Sequence, residues 1–146
     1  MKENLIRILS RTGELTESVC TYHRRGLLCF WLPGDCPPGE AGKWDNRTDI
    51  YRIGTLLFRE VVLCADGRPM PFHRARYGQI RQLLADSCIW QDFPKSERPQ
   101  AERLLCDLLQ RCLSPRPPGR YRCCEELLCA LEQLIRLLTG TQVPPP

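Results

Sequence analysis

Apolar residues in the second half of the chain recur at intervals of three and four positions, which is the spacing of amphipathic helices. The strongest stripe lies in residues 102–113 and comprises Leu104, Leu105, Leu108, Leu109, Cys112 and Leu113. A second stripe, in residues 122–138, comprises Leu127, Leu128, Leu131, Leu134, Ile135 and Leu138. Residues 76–88 carry a weaker stripe formed by Ile80, Leu83 and Leu84. We therefore predict helices over 76–88, 102–113 and 122–138.

Residues 49–65, DIYRIGTLLFREVVLCA, are apolar on almost every side, a pattern typical of a helix buried in the core. Asp49 is a capping candidate at the start, and Asp66-Gly67 marks the end. Gly54 costs about 1 kcal/mol relative to alanine inside a helix, which indicates that another segment packs closely against it. The sequence predicts a central, buried helix over 49–65.

The first part of the chain has weaker patterns. Residues 4–11 predict a short helix with Leu5, Ile6, Ile8 and Leu9 directed inward, and residues 19–31 predict a short β-hairpin around Arg24-Arg25-Gly26. Prolines and glycines in residues 32–47 predict a loop, and residues 139–146 predict a flexible, proline-rich tail. The expected organisation is an N-terminal segment 1–31, a helical domain 32–138 and a tail 139–146.

Composition excludes several classes of protein. A chain of 146 residues with 42% hydrophobic and 26% charged residues is typical of one globular domain. The net charge of +4 is spread along the chain, which argues against nucleic acid as a partner, and no long uncharged apolar run predicts a membrane span. None of the ten cysteines forms a Cys-x-x-Cys pair, so we expect no metal site. Five cysteines lie among leucines at helical spacing and are assigned to the core: Cys64, Cys106, Cys112, Cys124 and Cys129. The start of the chain lacks an apolar signal-peptide stretch, which favours the cytoplasm.

A series of motifs follows in a fixed order. Residues 33–40 read PGDCPPGE, residues 49–54 read DIYRIG, Pro71-Phe72 follows, and residues 112–120 read CLSPRPPGR. In this order and spacing they resemble the distal C-terminal lobe of a protein kinase of the serine/threonine type. The resemblance implies a mainly α fold, the helical C-lobe of a kinase-like domain over 32–138, beside the short hairpin predicted near the N-terminus.

The resemblance singles out Glu40, Arg120, Asp49 and Gly54 as structural anchors. Arg120 offers Glu40 a bidentate partner, so the two are expected to form an ion pair that fixes the loop to the last helices, unless the extra Gly39 displaces Glu40 into solvent. In kinases the residue that matches Asp49 holds the catalytic loop. From the residues alone, Asp49 caps a helix, where a carboxylate accepts backbone N–H bonds.

The residues that transfer phosphate in kinases are missing. The chain has no glycine-rich loop, no His-Arg-Asp and no Asp-Phe-Gly, and in His23-Arg24-Arg25 an arginine stands where the catalytic base would be. We therefore expect no catalytic residue, no nucleotide cofactor and no bound metal.

Three interpretations remain open. The first is a pseudokinase fragment that binds a protein partner or self-associates, because one flank of helix 49–65 would lack the cover that a complete kinase supplies. The alternative is the C-terminal piece of a serine/threonine kinase whose catalytic segments are missing from this chain. The third is an unrelated helical domain. Kinase motifs in the DNA upstream of Met1 would favour the alternative.

Overall fold

The computed structural model describes residues 2–26, 46–62, 72 and 74–140. Its α-helices are α1 (Lys2–Arg24), α2 (Asn46–Val61), α3 (Ile80–Ala85), α4 (Arg98–Cys112) and α5 (Cys124–Thr139). Short 3-10 turns lie at Arg74–Gln79, Cys88–Trp90 and Pro117–Gly119. These described segments contain no β-strand, so the prediction of a mainly α protein is confirmed.

Helix α2 lies at the centre of the molecule. Its side chains Ile50, Ile53, Leu57 and Phe58 are each at most 1% exposed, and α1, α4 and α5 all pack against it. Phe72 adds an edge-to-face contact to Phe58, with ring centroids 5.2 Å apart. The helix begins three residues before the predicted start, and residues 63–65 of the predicted span lie outside the described residues. Burial on all sides explains why the sequence of α2 shows no polar face.

Helix α1 is much longer than predicted, and the hairpin is wrong where the structure describes it. Residues 19–24 belong to α1, and residues 27–31 lie outside the described residues. The buried face of α1 includes two threonines in the middle of the helix, so the sequence shows no continuous apolar repeat there. Each hydroxyl donates to a carbonyl one turn earlier, Thr12 to Ile8 at 2.9 Å and Thr16 to Thr12 at 2.7 Å. The buried face is Leu5, Ile8, Leu9, Thr12, Gly13, Thr16, Val19 and Cys20.

The predicted helix 76–88 is broken into shorter pieces. The 3-10 turn Arg74–Gln79 leads into α3, which ends at Ala85. Ser87 then stops the helix, since its hydroxyl donates to the carbonyl of Val61 and accepts from the amide of Ile89. Trp90 donates from its indole to the carbonyl of Leu84 at 2.8 Å, which folds the following turn back onto α3.

Helices α4 and α5 pack against each other and are joined by a proline-rich connection. Helix α4 begins at Arg98, earlier than predicted, because Pro99 fits the first turn of a helix. Helix α5 ends at Thr139, and the following Gly140, with φ of 71°, has the left-handed conformation that terminates helices. No helix in the described part of the chain combines the length and the hydropathy that crossing a membrane requires.

Candidate functional site

The ends of three helices meet at one buried cluster of polar side chains. We call it the polar junction and define it as Cys20 and His23 of α1, Asp49 of α2 and Cys124 of α5. His23 Nε2 lies 2.7 Å from Asp49 Oδ2, and the side chains of the two residues are only 7% and 0% exposed. His23 Nδ1 lies 3.5 Å from the sulfur of Cys124. The junction thus connects the first, second and last helices.

The hydrogen atoms of the junction follow from its donors and acceptors. An ionised carboxylate only accepts, so His23 Nε2 donates its hydrogen to Asp49. At the other nitrogen, a neutral ring accepts from the Cys124 thiol, whereas a charged ring donates to its sulfur. The resulting chain of bonds runs from Cys124 through His23 to Asp49.

Burial decides what this cluster can do chemically. The order cysteine, histidine, carboxylate is that of a nucleophilic site, but Cys124 is 0% exposed and has no open face for a substrate. Burial raises the pKa of the Cys124 thiol far above its ordinary value and that of Cys20 to about 11. Thiols in this state are poor nucleophiles at neutral pH. The junction is therefore a structural connection between helices, not a hydrolytic centre.

Metal binding finds no support in the described residues. Among them, no three side chains of the histidine, cysteine, aspartate or glutamate type are arranged to hold a metal ion. The residues of the polar junction are among those described, so they do not form such an arrangement either.

A second buried polar contact is centred on Arg120. This side chain is 2% exposed, although it carries a full charge. Its Nε donates to the carbonyl of Ser114 at 2.9 Å, and one terminal nitrogen donates to the carbonyl of Arg47 at 3.3 Å. The guanidinium also lies over the ring of Tyr51, 4.8 Å from its centre. Arg120 thus ties the connection between α4 and α5 to the first turns of α2.

Glu40, the expected ion-pair partner of Arg120, lies outside the described residues. The pair therefore stays a prediction.

Gly54 marks the closest approach between α2 and the end of α4. A Cβ atom at this position would lie 2.6 Å from Cβ of Cys112 and 3.1 Å from Cδ2 of Leu113. Real Cβ contacts are essentially never this short, so no side chain fits without movement of α4. The close packing that the glycine indicated is found at the CLSPRP segment.

Sequence reasoning missed the buried contacts of His23 with Asp49 and Cys124, because it interpreted His23 only as part of a motif. The signal lay in the spacing of Cys20 and His23, which are three residues apart and share one face of a helix. The prediction of a β-hairpin over residues 19–31 does not place these two side chains on one helical face.

A groove lies beside α4. It has a volume of about 470 Å³ and is lined by Arg81, Pro99, Glu102, Arg103, Leu104, Cys106, Asp107 and Gln110. Leu104 is 36% exposed, and Leu137 on α5 is equally exposed but does not line this groove. Among the described side chains, these two are the large apolar residues that face solvent.

No protein-family model matches this chain, and neither the curated proteins nor the solved structures contain a significant match to it. A relationship to kinases therefore stays a hypothesis that rests on the motifs of the sequence.

Proposed function

We propose that the chain is a non-catalytic, protein kinase-like C-lobe module that binds a protein partner. The observation that carries the proposal is the set of contacts made by the DIYRIG motif at the start of α2. Asp49 binds His23 of α1, Tyr51 lies under Arg120, and Gly54 admits the end of α4. The three motif positions thus each hold a different neighbouring segment.

These contacts support the proposal because they join motifs that are far apart in sequence. Residues 49–54 and residues 112–120 are two of the segments that resemble kinases, and they meet through Arg120 and through Gly54. A helix apolar on all sides at the centre of a helical domain is also what the resemblance implies.

The non-catalytic part of the proposal follows from the residues. Phosphoryl transfer depends on phosphate clamps, metal ligands and a base that orients the acceptor. In the segment His23-Arg24-Arg25, the histidine is engaged with Asp49, and Arg24 forms a surface ion pair with Glu125 at 3.4 Å. An arginine at position 25 cannot act as a base at neutral pH.

The partner-binding surface that we propose is the groove beside α4. It combines an exposed leucine with basic residues, Arg81 and Arg103, and acidic residues, Glu102 and Asp107. Mixed charges around an apolar centre are typical of protein interfaces, where the polar rim gives specificity.

Calorimetric titration of the purified chain with Mg-ATP tests the catalytic half of the proposal. We expect no heat of binding and no transfer of the γ-phosphate to a protein substrate. Micromolar binding would contradict the assignment as non-catalytic.

Variants at the two exposed leucines test the binding half. Leu104→Asp should lose a protein that the wild-type chain captures from cell extract, because a charge enters the groove. Leu137→Asp is the matched control, since it makes the same change at the same exposure outside the groove. Equal retention by both variants would show that α4 is not the interface.

A further inference from the structure

A surface serine lies beside the buried contact of Arg120. Ser114 is partly exposed and follows the end of α4, in a segment that is not helical, and the neighbouring Pro115 is exposed. The hydroxyl of Ser114 donates to the carbonyl of Arg116 at 3.1 Å, and the carbonyl of Ser114 accepts from Nε of Arg120 at 2.9 Å. We propose that Ser114 is a phosphorylation site whose phosphate draws Arg120 away from the start of α2.

The surroundings of Ser114 match a proline-directed serine kinase, the class of enzyme that selects a serine followed by proline. Ser114 is the only serine or threonine in the chain that precedes a proline. A residue before proline favours an extended backbone, the conformation in which a short segment can enter an enzyme cleft. The bond from the hydroxyl to Arg116 spans two residues, so the acceptor oxygen is released by a local movement of the surface segment.

The reaction transfers one phosphoryl group to the serine. The hydroxyl oxygen of Ser114 forms a bond to the γ-phosphorus of ATP, the bond from this phosphorus to the β-phosphate oxygen breaks, and ADP leaves. An aspartate of the kinase accepts the hydroxyl proton. The modified serine carries a charge of about −1.5 to −2 at pH 7 and three acceptor oxygens. Its side-chain oxygen has no hydrogen left to donate to Arg116.

A phosphate cannot remain where the hydroxyl now lies. The hydroxyl oxygen is so close to Gly119 that a Cβ atom added there would clash with it, so this side has no room for a larger group. The carbonyl of Arg116, which now accepts from the hydroxyl, would also repel the negative oxygens. Arg120 already contacts Ser114 and carries the opposite charge, so the phosphate turns toward its guanidinium.

The phosphate then competes with the present acceptors of Arg120. In the unmodified chain the guanidinium donates to the neutral carbonyls of Ser114 and Arg47, and it lies over the ring of Tyr51. Hydrogen bonds between arginine and a phosphate are shorter and stronger than those to a neutral carbonyl, and they are often bidentate. The contact with Arg47, at 3.3 Å, is the longer of the two and is lost first. The first turn of α2 therefore loosens.

Mass spectrometry of the full chain tests the site. The purified chain is incubated with Mg-ATP and a mitogen-activated protein kinase, which is proline-directed, and its phosphopeptides are sequenced. We expect phosphate at Ser114 and none at Ser96, an exposed serine in a turn that is not followed by proline. Pro115→Ala should abolish the modification, and circular dichroism shows that this variant is folded.

A synthetic peptide of residues 109–120 is the control for access to the serine. If the kinase modified the peptide and not the chain, the folded segment would not present Ser114, and the proposal would be wrong. Absence of phosphate from both would equally overturn it, because the sequence around Ser114 would then not be accepted.

Hydrogen exchange tests the movement of Arg120. After phosphorylation, amides of residues 46–52 should exchange about tenfold faster, the factor expected when one hydrogen bond of a charged group is lost. Phosphatase should restore the slow exchange, and residues 127–134 in the middle of α5 should not change. Unaltered exchange at residues 46–52 in a chain fully phosphorylated at Ser114 would show that Arg120 stays in place.

Discussion

At the scale of single residues, the most informative position is Arg120, a fully charged side chain that is 2% exposed. A charge taken out of water is retained only where several acceptors replace the lost hydration. Arg120 meets this condition through two backbone carbonyls and the face of Tyr51. Its role is therefore to hold the start of α2 against the connection between α4 and α5.

If Glu40 and Arg120 form the predicted buried ion pair, Arg120→Ala should destabilise the protein by about 3–5 kcal/mol, because it leaves a buried charge without its partner. Urea unfolding, monitored by circular dichroism, measures the loss. Arg120→Lys should recover only part of it, because an ammonium lacks the planar fork that reaches both carbonyls and stacks on the ring. A change of a few tenths of a kcal/mol would instead describe a solvated surface arginine.

Two glycines in helices provide a matched comparison. In Gly54→Ala the new methyl group meets the end of α4, so we expect a loss of about 1–3 kcal/mol despite the better helix propensity of alanine. Gly13 of α1 has nothing within 4 Å of an added Cβ, so Gly13→Ala should stabilise by up to about 1 kcal/mol. Thermal unfolding of both variants gives the comparison. If Gly54→Ala raised the melting temperature as Gly13→Ala is expected to do, Gly54 would not be in close contact with α4.

At the scale of helices, the pair His23 and Asp49 fixes α1 to α2. Both side chains are buried, and the two atoms that bond are 2.7 Å apart. A double-mutant cycle with His23→Ala and Asp49→Ala should give a coupling energy of about 1–3 kcal/mol, since contacts in a buried network are not additive.

The control for this cycle joins the same two helices. Arg11 and Glu60 form an ion pair at 3.5 Å, but their side chains are 61% and 53% exposed. Its coupling energy should be below about 1 kcal/mol and should decrease with salt. Equal coupling energies for the two pairs would contradict a special role for the polar junction.

The observed helices differ in how far the sequence pattern predicts them. Helices α4 and α5 were found because leucines dominate their buried faces, and α2 because it is apolar all round. Helix α1 was missed for a physical reason, since threonine hydroxyls in its buried stripe satisfy their bonds within the helix and leave no apolar repeat to read. Helix α3 was predicted too long because the side chain of Ser87 ends it through contacts that only the tertiary structure supplies.

The polar junction could not be predicted for a related reason. Asp49 was read as a helix cap, which is a local role, whereas its partner His23 comes from a helix that the pattern did not show. Arg120 is singled out by the resemblance of its motif, and Gly54 also by the cost of a glycine inside a helix. A residue that is unfavourable in its predicted element can be recognised in the sequence, but the residues that it contacts depend on the tertiary fold.

At the scale of the whole molecule, α1 changes the expectation of an incomplete core. Helix 49–65 was expected to lack cover on one flank, which would have produced a large apolar patch and self-association. In the structure α1 packs along α2 and α5. Among the described side chains, large exposed apolar residues are limited to Leu104 and Leu137. The flank of α2 that α1 covers is therefore not an exposed apolar patch that would drive association. The groove beside α4 is the surface that we propose for a partner.

Removal of residues 1–26 tests this role of α1. The truncated chain would expose the surface now covered by Leu5, Leu9, Val19 and Cys20, each of which is 0% exposed. A large apolar side chain contributes roughly 1.5–3 kcal/mol when it is buried. Losing several such contributions removes most of the free energy of unfolding of a typical domain, which is about 5–15 kcal/mol. We expect the truncated chain to aggregate in sedimentation and to melt without a cooperative transition. A chain that ends after Gly140 keeps every described helix and should stay monodisperse, with a sharp transition. If the chain lacking residues 1–26 melted as sharply, α1 would be an addition to a core that is complete without it.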